Sequence, residues 1–391
     1  MAFRGEPLDA DMARLAAQCV LDWIAVTIAG ASEPCADILA GEFATQNPGD
    51  SPLVGRNGFA RPMDAVLING TASHALDYDD VNSIMPGHPT VPLLPAVLGL
   101  GVELGKSGAE VVQAFVAGYE AQCQIGHFLN PSHYANGFHS TGTIGTLGAA
   151  VGAGTLLGLD ALQMANAIGL AAAQAAGLKS MFGTMAKPFQ AGKAAVNGLL
   201  AARLAARGFT ASTEAIEASQ GLVDTLSDEV LPPAVDFGIF GKAIARTLFK
   251  YHAACYITHS AIEATRVFVE NHPAEVPGII SGEIHVGPNA LKICNIQTPR
   301  TGLETKFSLR HVVSMVLAGK DTTSFETFSD ENAHDASIIA FRDRVQVIPD
   351  LPDGTAARMK FHLMGGEVVE IAEDVGVPAT DLAAQEAKLS R

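Results

Sequence analysis

The chain is short of charge, of paired cysteines and of nucleotide-binding loops, and each shortage removes a class of protein. Charged residues make up only 17% of 391 positions, low for a fully wetted surface, so we expect part of that surface to be buried in a homodimer. The charge is also one-sided, with 25 Lys and Arg against 41 Asp and Glu and a net charge of -16. A nucleic-acid footprint needs a basic face, so no nucleic-acid partner is expected; a few cations set on turns of an acidic chain suit a small anionic substrate instead. The five cysteines (Cys19, Cys35, Cys123, Cys255, Cys294) are odd in number and widely spaced, with no CxxC pair. That argues against a disulfide framework and against a cysteine-ligated iron–sulfur cluster, and favours a reducing compartment. The N-terminus has no apolar run behind a basic one, so no secretory signal is read and the cytoplasm is the expected location. There is no GxGxxG turn and no GxxxxGK loop, hence no expected nucleotide cofactor. Residues 140–159 and 161–178 carry no charge, but they are rich in Gly, Ala and Thr, include Asn166 and Gln174, and lack aromatic anchors and basic flanks. They are expected to form a buried helical hairpin and not a membrane span.

What is present divides into two parts. From Asp9 to about Ser260 the period is helical: Met12, Leu15, Ala16, Cys19, Val20 and Trp23 repeat at helical spacing, Gly158 ends one helix and Asp160 caps the next. After about residue 272 the period changes. Residues 278–288, 342–350 and 357–374 read as strands, with Met364-Gly365-Gly366 as a hairpin turn, and helices are expected near 307–318 and 328–341. The expected fold is mainly α with a second α+β domain: a helical bundle over 1–271 and a smaller α+β lid over 272–376. The closing AAQEAKLSR begins another helix and stops abruptly, so we expect the natural chain to continue.

Five polar islands interrupt this bland background. In HALDYDDVNSIMPGHPT, Asp77, Asp79 and Asp80 follow a helix and His88 follows an irregular loop; Asp77 can orient a histidine while His88 transfers a proton, or the segment is a solvated acidic helix end. His139 precedes a small-residue helix expected to begin near Thr141, where backbone N–H groups attract anions; the plainer reading is a capping histidine. Lys187 precedes Pro188, which favours an extended backbone, and a lysine in so apolar a stretch needs a counter-charge unless it lies on the surface. In LFKYHAACYITH, Lys250 suits an anion, while His252, Cys255 and His259 on one expected helix face make either a metal triad or a cysteine nucleophile with its base. In TGLETKFSLRH, Lys306, Ser308 and Arg310 stand at an expected helix start as a carboxylate cradle, with His311 a polar outlier beside Val312 and Met315.

Taken in order, ALDYDD, GHPT, FHSTGTIGTLGAA, KPFQAGKAA and CYITH resemble the MmgE/PrpD family, which includes 2-methylcitrate dehydratase, cis-aconitate decarboxylase and iminodisuccinate epimerase. The resemblance runs from LDWIAVTIAG through TKFS. It implies a helical domain completed by C-terminal residues (377–391 here, with more expected beyond), an α+β lid, and a site between the two in a homodimer. It places the family's site residues on Asp77, His88, His139, Lys187 and Lys250, and we assign Lys306, His311 and Cys255 as substrate contacts. Three departures from the decarboxylase count against that activity: Val81 replaces a threonine, Cys255 a histidine and His311 a tyrosine. The resemblance thus implies a cofactor-independent lyase acting on a small di- or tricarboxylate, like the dehydratase first, the epimerase second and the decarboxylase third. Different classes are a metallohydrolase and a non-catalytic carboxylate-binding protein.

The reactions share a carbanion or enediolate formed beside a carboxylate, which calls for fixed cations at the carboxylate and a base at the carbon acid. Lys187 and Lys250 take the first role; His139 and His88 form the base and acid pair, their order open. No metal is needed, so turnover of a carboxylate is expected to survive exhaustive chelation. Complete loss that added zinc or iron restores would overturn the cofactor-free chemistry.

Overall fold

The computed structural model describes residues 8–44, 49–229 and 242–389; residues 1–7, on which the expectation of no secretory signal rests, lie outside them. The chain divides into two compact units, one of Met1–Ser180, Met185–Phe249 and Pro378–Arg391, the other of Met181–Thr184 and Lys250–Val377.

The first unit is a helical bundle. Its main helices are α1 (Ala10–Gly30), α2 (Pro62–His74), α3 (Thr90–Glu103), α4 (Gly108–Leu129), α5 (Ser140–Leu156), α6 (Ala161–Ala172) and α7 (Ala186–Ala206). Start signals act where the sequence puts them: Asp9 caps α1 through the Met12 N–H, and capping boxes of Ser107 with Glu110 and Asp160 with Gln163 open α4 and α6. Helix α5 is buried almost end to end and is packed by α3, α4 and α7. Its run of Gly, Ala and Thr is therefore a core helix, as close backbone approach requires small side chains. Helix α1 is by length and composition apolar enough to cross a membrane, with half of its apolar window buried in this unit. The buried face includes Gln18, whose amide donates to Leu382 O at 2.7 Å and whose Oε1 accepts from Gln385 at 2.7 Å, tying helix Leu382–Leu389 to α1. Two short antiparallel ladders also occur, Ser51–Pro52 with Phe59–Ala60 and Val81–Asn82 with Thr247–Leu248. The expected all-helical domain omitted both, because two-residue strands leave no periodic signal.

The second unit is α+β. Its sheet has β2 (Val345–Ile348), β1 (Ile279–His285), β3 (Ala357–Leu363) and β4 (Val368–Glu373) side by side; β1 is parallel to β2 and antiparallel to β3, and β3 is antiparallel to β4. Strand β3 buries Ala357, Met359, Phe361 and Leu363 in strict alternation, the mark of a half-buried strand. Helices α8 (His259–Asn271) and α9 (Leu309–Leu317) pack on each other, and α8 also packs on β3 and β4, with Phe268 stacked on Phe361 at 4.1 Å. That packing puts α8 in this unit, which begins at Lys250 and not at the change of period near 272. The single helix expected near 328–341 is two, Asp330–Ala333 and Ala336–Arg342, because Asp335 stops one and caps the other through the Ser337 N–H.

Helix α2 crosses α7 closely. A Cβ built on Gly70 would lie 2.9 Å from the Gly192 Cα, and one on Gly192 would lie 2.5 Å from Leu67 O and also strike Thr71 Oγ1. Gly192→Ala is expected to destabilise the protein by about 1–3 kcal/mol in denaturant titration; an unchanged midpoint would refute this close crossing.

Candidate active site

The polar centre of the first unit grows from the end of α2. That helix closes at His74 with Ala75 as its C-cap, and the chain turns through Asp77 at a left-handed φ of 52°. Such a conformation costs about 1–3 kcal/mol in a non-glycine residue unless its surroundings hold it. The Val81–Asn82 ladder and the bond from Asn82 N–H to Gly87 O at 2.9 Å return the loop to His88, whose own N–H donates to Thr141 Oγ1 at 3.1 Å. Asp77, Asp79 and Asp80 are at most 2% exposed, so the solvated acidic helix end does not form.

Their partners are cations and imidazoles. Lys187 Nζ donates to Asp77 Oδ1 and to His74 Nε2, both at 2.9 Å. His74 Nδ1 lies 2.9 Å from Asp79 Oδ1, and His88 Nδ1 lies 2.8 Å from Asp79 Oδ2, while His88 Nε2 is 3.6 Å from Asp77 Oδ1. The His74 ring sits 4.5 Å from that of His88 and stacks 5.8 Å from that of His139. Asp77, His88, His139 and Lys187 are therefore brought together, with His74 at their centre.

Two sequence expectations change here. Lys187 is helical, the second residue of α7, because Pro188 falls in the first turn, where a missing N–H removes no helix bond. His139 is the N-cap residue of α5, but its ring makes no cap bond and turns instead to Gln190, with Nδ1 2.7 Å from Oε1. The Gln190 amide donates its own N–H to Leu178 O at 3.2 Å. That fixes Oε1 toward the ring, so His139 carries its proton on Nδ1 and its Nε2 is unprotonated.

Burial decides the protonation states. It lowers the His74 pKa to about 4, with the Lys187 charge adding to the effect and Asp79 opposing it. Burial, then Lys187 and His74, hold His139 well below the usual histidine range. Burial alone would raise the Asp79 carboxyl, yet the His74 and His88 rings outweigh it and keep Asp79 well below the carboxylate range. Asp80 goes the other way: burial, with the Asp79 charge, lifts it to about 7 against hydrogen bonds from Thr90. His74 has both ring nitrogens engaged by Asp79 and Lys187, so it is a neutral His139 beside a fixed ammonium that can accept a proton from carbon and hold an anion.

His74, Asp77, Asp79 and His88 also place one donor atom each within 4.8 Å of one another, a set that could surround a metal ion. Lys187 Nζ rests on two of these side chains, Asp77 and His74, and supplies positive charge there.

The remaining assigned residues belong to the second unit. Lys250 is buried, 3% exposed. The expected helical triad is not assembled. Residues 250–255 are irregular because Ala253 N–H and Cys255 N–H bond Thr322 O and Lys306 O, and α8 begins only at His259. His252 spends both ring nitrogens on Glu263 (2.6 Å) and Thr322 (2.9 Å), and His259 Nε2 turns to Ala254 O. Cys255 and Cys294 are free, buried thiols that lie beside each other, and burial pushes the Cys294 pKa well up. Lys306 is buried with Nζ 5.0 Å from the Phe328 ring centre. Arg310 bonds Val345 O and Asn295, so it is no part of a carboxylate cradle, and Ser308 caps α9 through the His311 N–H. His311 is fully buried, and burial with the Arg342 charge lowers its pKa to about 4.

The MmgE/PrpD N-terminal domain matches residues 1–232 and the C-terminal domain residues 252–381. The chain belongs to the MmgE/PrpD family. It is 30% identical over 293 residues to a cis-aconitate decarboxylase of Aspergillus terreus, covering 71% of this chain and 59% of that protein. It is 26% identical to the human cis-aconitate decarboxylase over 66% of this chain and 55% of that one. A cis-aconitate decarboxylase-like protein, oryM, of Aspergillus oryzae is 29% identical over 68% of this chain. The chain thus spans less than two thirds of the length of these curated relatives.

Sequence reasoning singled out neither His74 nor Gln190, and it gave Asp79 no partner. Gln190 had a signal, standing at i+3 from Lys187 on one helix face. His74 ended an apolar helix and looked like core.

Asp80 supplies a pH test. Its folded pKa of about 7 lies above the unfolded value of about 4, so its contribution to stability is full below pH 4 and is lost as the pH rises through 7. Asp80→Asn is therefore expected to gain stability relative to wild type between pH 4 and 7. A pH-independent difference in denaturation midpoint would contradict the raised pKa.

Proposed function

We propose that this MmgE/PrpD chain is a lyase acting on a small di- or tricarboxylate by proton transfer at carbon next to a carboxylate. The observation that carries this is a neutral, buried His139 protonated on Nδ1 and not on Nε2, beside the Lys187 ammonium. In this reading His139 is the base and Lys187, with Lys250, neutralises the carboxylate as charge develops. His88, the more accessible histidine with its side chain 13% exposed, is the acid that protonates the leaving group or the product carbon. Lys306, His311 and Cys255 contact substrate. The site works without a metal because Lys187 already supplies the cation among the donors. A homodimer in the cytoplasm completes the proposal.

Dehydration of a 2-methylcitrate-like substrate is favoured by the departures at Val81, Cys255 and His311. Decarboxylation is the second reading, favoured by the names of the relatives, and epimerisation of iminodisuccinate the third. An NMR time course in deuterated buffer with 2-methylcitrate, cis-aconitate and iminodisuccinate separates them, since each product and each exchanged proton has its own signal. Absence of any turnover or exchange would overturn the proposal in favour of a carboxylate-binding protein.

His139→Ala and Lys187→Ala are expected to fail differently. Loss of the base should lower kcat by about 100- to 10,000-fold with little change in KM, whereas loss of the anchor should also raise KM. Near-normal kcat/KM in both folded variants would refute the assignment.

A further inference from the structure

The two histidines that meet Asp79 carry the most information beyond the roles already assigned. Asp79 is fully buried and its carboxylate has nothing to donate. His74 Nδ1 hydrogen-bonds its two oxygens at 2.9 and 3.0 Å, whereas His88 Nδ1 stands 2.8 Å from Oδ2 as an ion-pair contact without hydrogen-bond alignment. His74 donates from Nδ1, and at His88 an unprotonated Nδ1 would set its lone pair against an ionised carboxylate at 2.8 Å, so the same carboxylate favours the Nδ1-protonated form of both rings.

The consequence for His74 is a lone pair on Nε2, and that lone pair receives the Lys187 ammonium at 2.9 Å. In the other tautomer Nε2–H would face N–H, two donors nose to nose, and Lys187 would lose one of its two supports, the other being Asp77. For His88 the consequence is that Nε2 becomes the exchangeable position, directed toward Asp77 Oδ1 at 3.6 Å. We infer that Asp79 is a positioning residue that sets the tautomer of His74 and His88 together, and through them places the Lys187 ammonium and leaves His88 Nε2 as the position that first takes up a proton and then gives it to the substrate. It touches no reacting atom in this scheme. The inference rests on the proposed carboxylate chemistry for its catalytic consequence, but the tautomers themselves do not depend on it.

The test begins with the wild-type chain labelled with 15N-histidine, using long-range 1H–15N correlation near neutral pH, with the two rings assigned by His74→Gln and His88→Gln. Both rings are expected to show a protonated Nδ1; a bare Nδ1 on either overturns the inference, even where turnover is normal. Asp79→Asn, which keeps the size and loses the charge, is expected to lose the protonated Nδ1 signal on at least one ring. Its kcat on whichever carboxylate the wild type turns over should fall by about 100- to 10,000-fold, the scale on which wrong-tautomer variants of a histidine base fail, with KM changing far less. Asp79→Glu should recover part of that loss. An Asp79→Asn chain with wild-type tautomers and near-normal kcat sinks the proposal. If that variant does not fold, the wild-type tautomers decide alone. Expected tautomers with no turnover of any probe would overturn the proposed function and leave the clamp standing.

Discussion

The buried contact between Lys187 and Asp77, with His74 as the second acceptor, is the constraint on which the first unit is organised. An ammonium and a carboxylate taken out of water cost several kcal/mol each, and their attraction returns this only if geometry and further hydrogen bonds are good. Here α2 and α7 must cross closely enough for His74 and Lys187 to meet at 2.9 Å, and Gly70 and Gly192 at the crossing are what permit it. The left-handed backbone of Asp77 belongs to the same arrangement. An apolar cluster of equal volume is often at least as stable, so folding stability alone does not account for the polar centre.

Three helix starts reinforce that centre. Thr90 opens α3 with its N–H and hydroxyl on Asp80, Ser140 opens α5 directly after His139, and α7 begins one residue before Lys187. The partial positive charge of a helix N-terminus favours anions over cations. Burial and the Lys187 charge hold His74 and His139 neutral, and the His74 and His88 rings keep Asp79 an anion. Asp80, deeper and under the influence of Asp79, is pushed toward its protonated form. One short segment, 74–90, therefore contains an acid that stays ionised and an acid near its neutral form, separated by a single peptide bond.

Neutral imidazoles, a fixed ammonium and an ionised clamp form a set suited to moving a proton at carbon, which is the common requirement of the reactions known in the MmgE/PrpD family. In the second unit two of the residues singled out from sequence are otherwise employed. His252 is absorbed by Glu263 and Thr322, and Arg310 by Val345 and Asn295. A lysine or histidine beside a turn has the same appearance in sequence whether its partner is a ligand or a neighbouring backbone.

Local pattern was enough for the helix caps at Asp9, Ser107 and Asp160, for the alternating strand 357–363 and for the change from bundle to sheet, because these depend on residues within a few positions of one another. The islands around Asp77, His88, His139 and Lys187 were also legible, since a cation or acid in an apolar stretch has to be compensated. Their partners were not. His74 and Lys187 are 113 positions apart, and only the crossing of α2 and α7 makes them neighbours. Pro188 pointed to an extended backbone and the fold placed it in a first helical turn; the LFKYHAACYITH island suggested a helix and long-range backbone bonds opened it. Sequence determined which residues had to find a partner, because burying charge and polarity unpaired is costly everywhere. Tertiary structure decided which partner each one found, because that depends on distances no local spacing encodes.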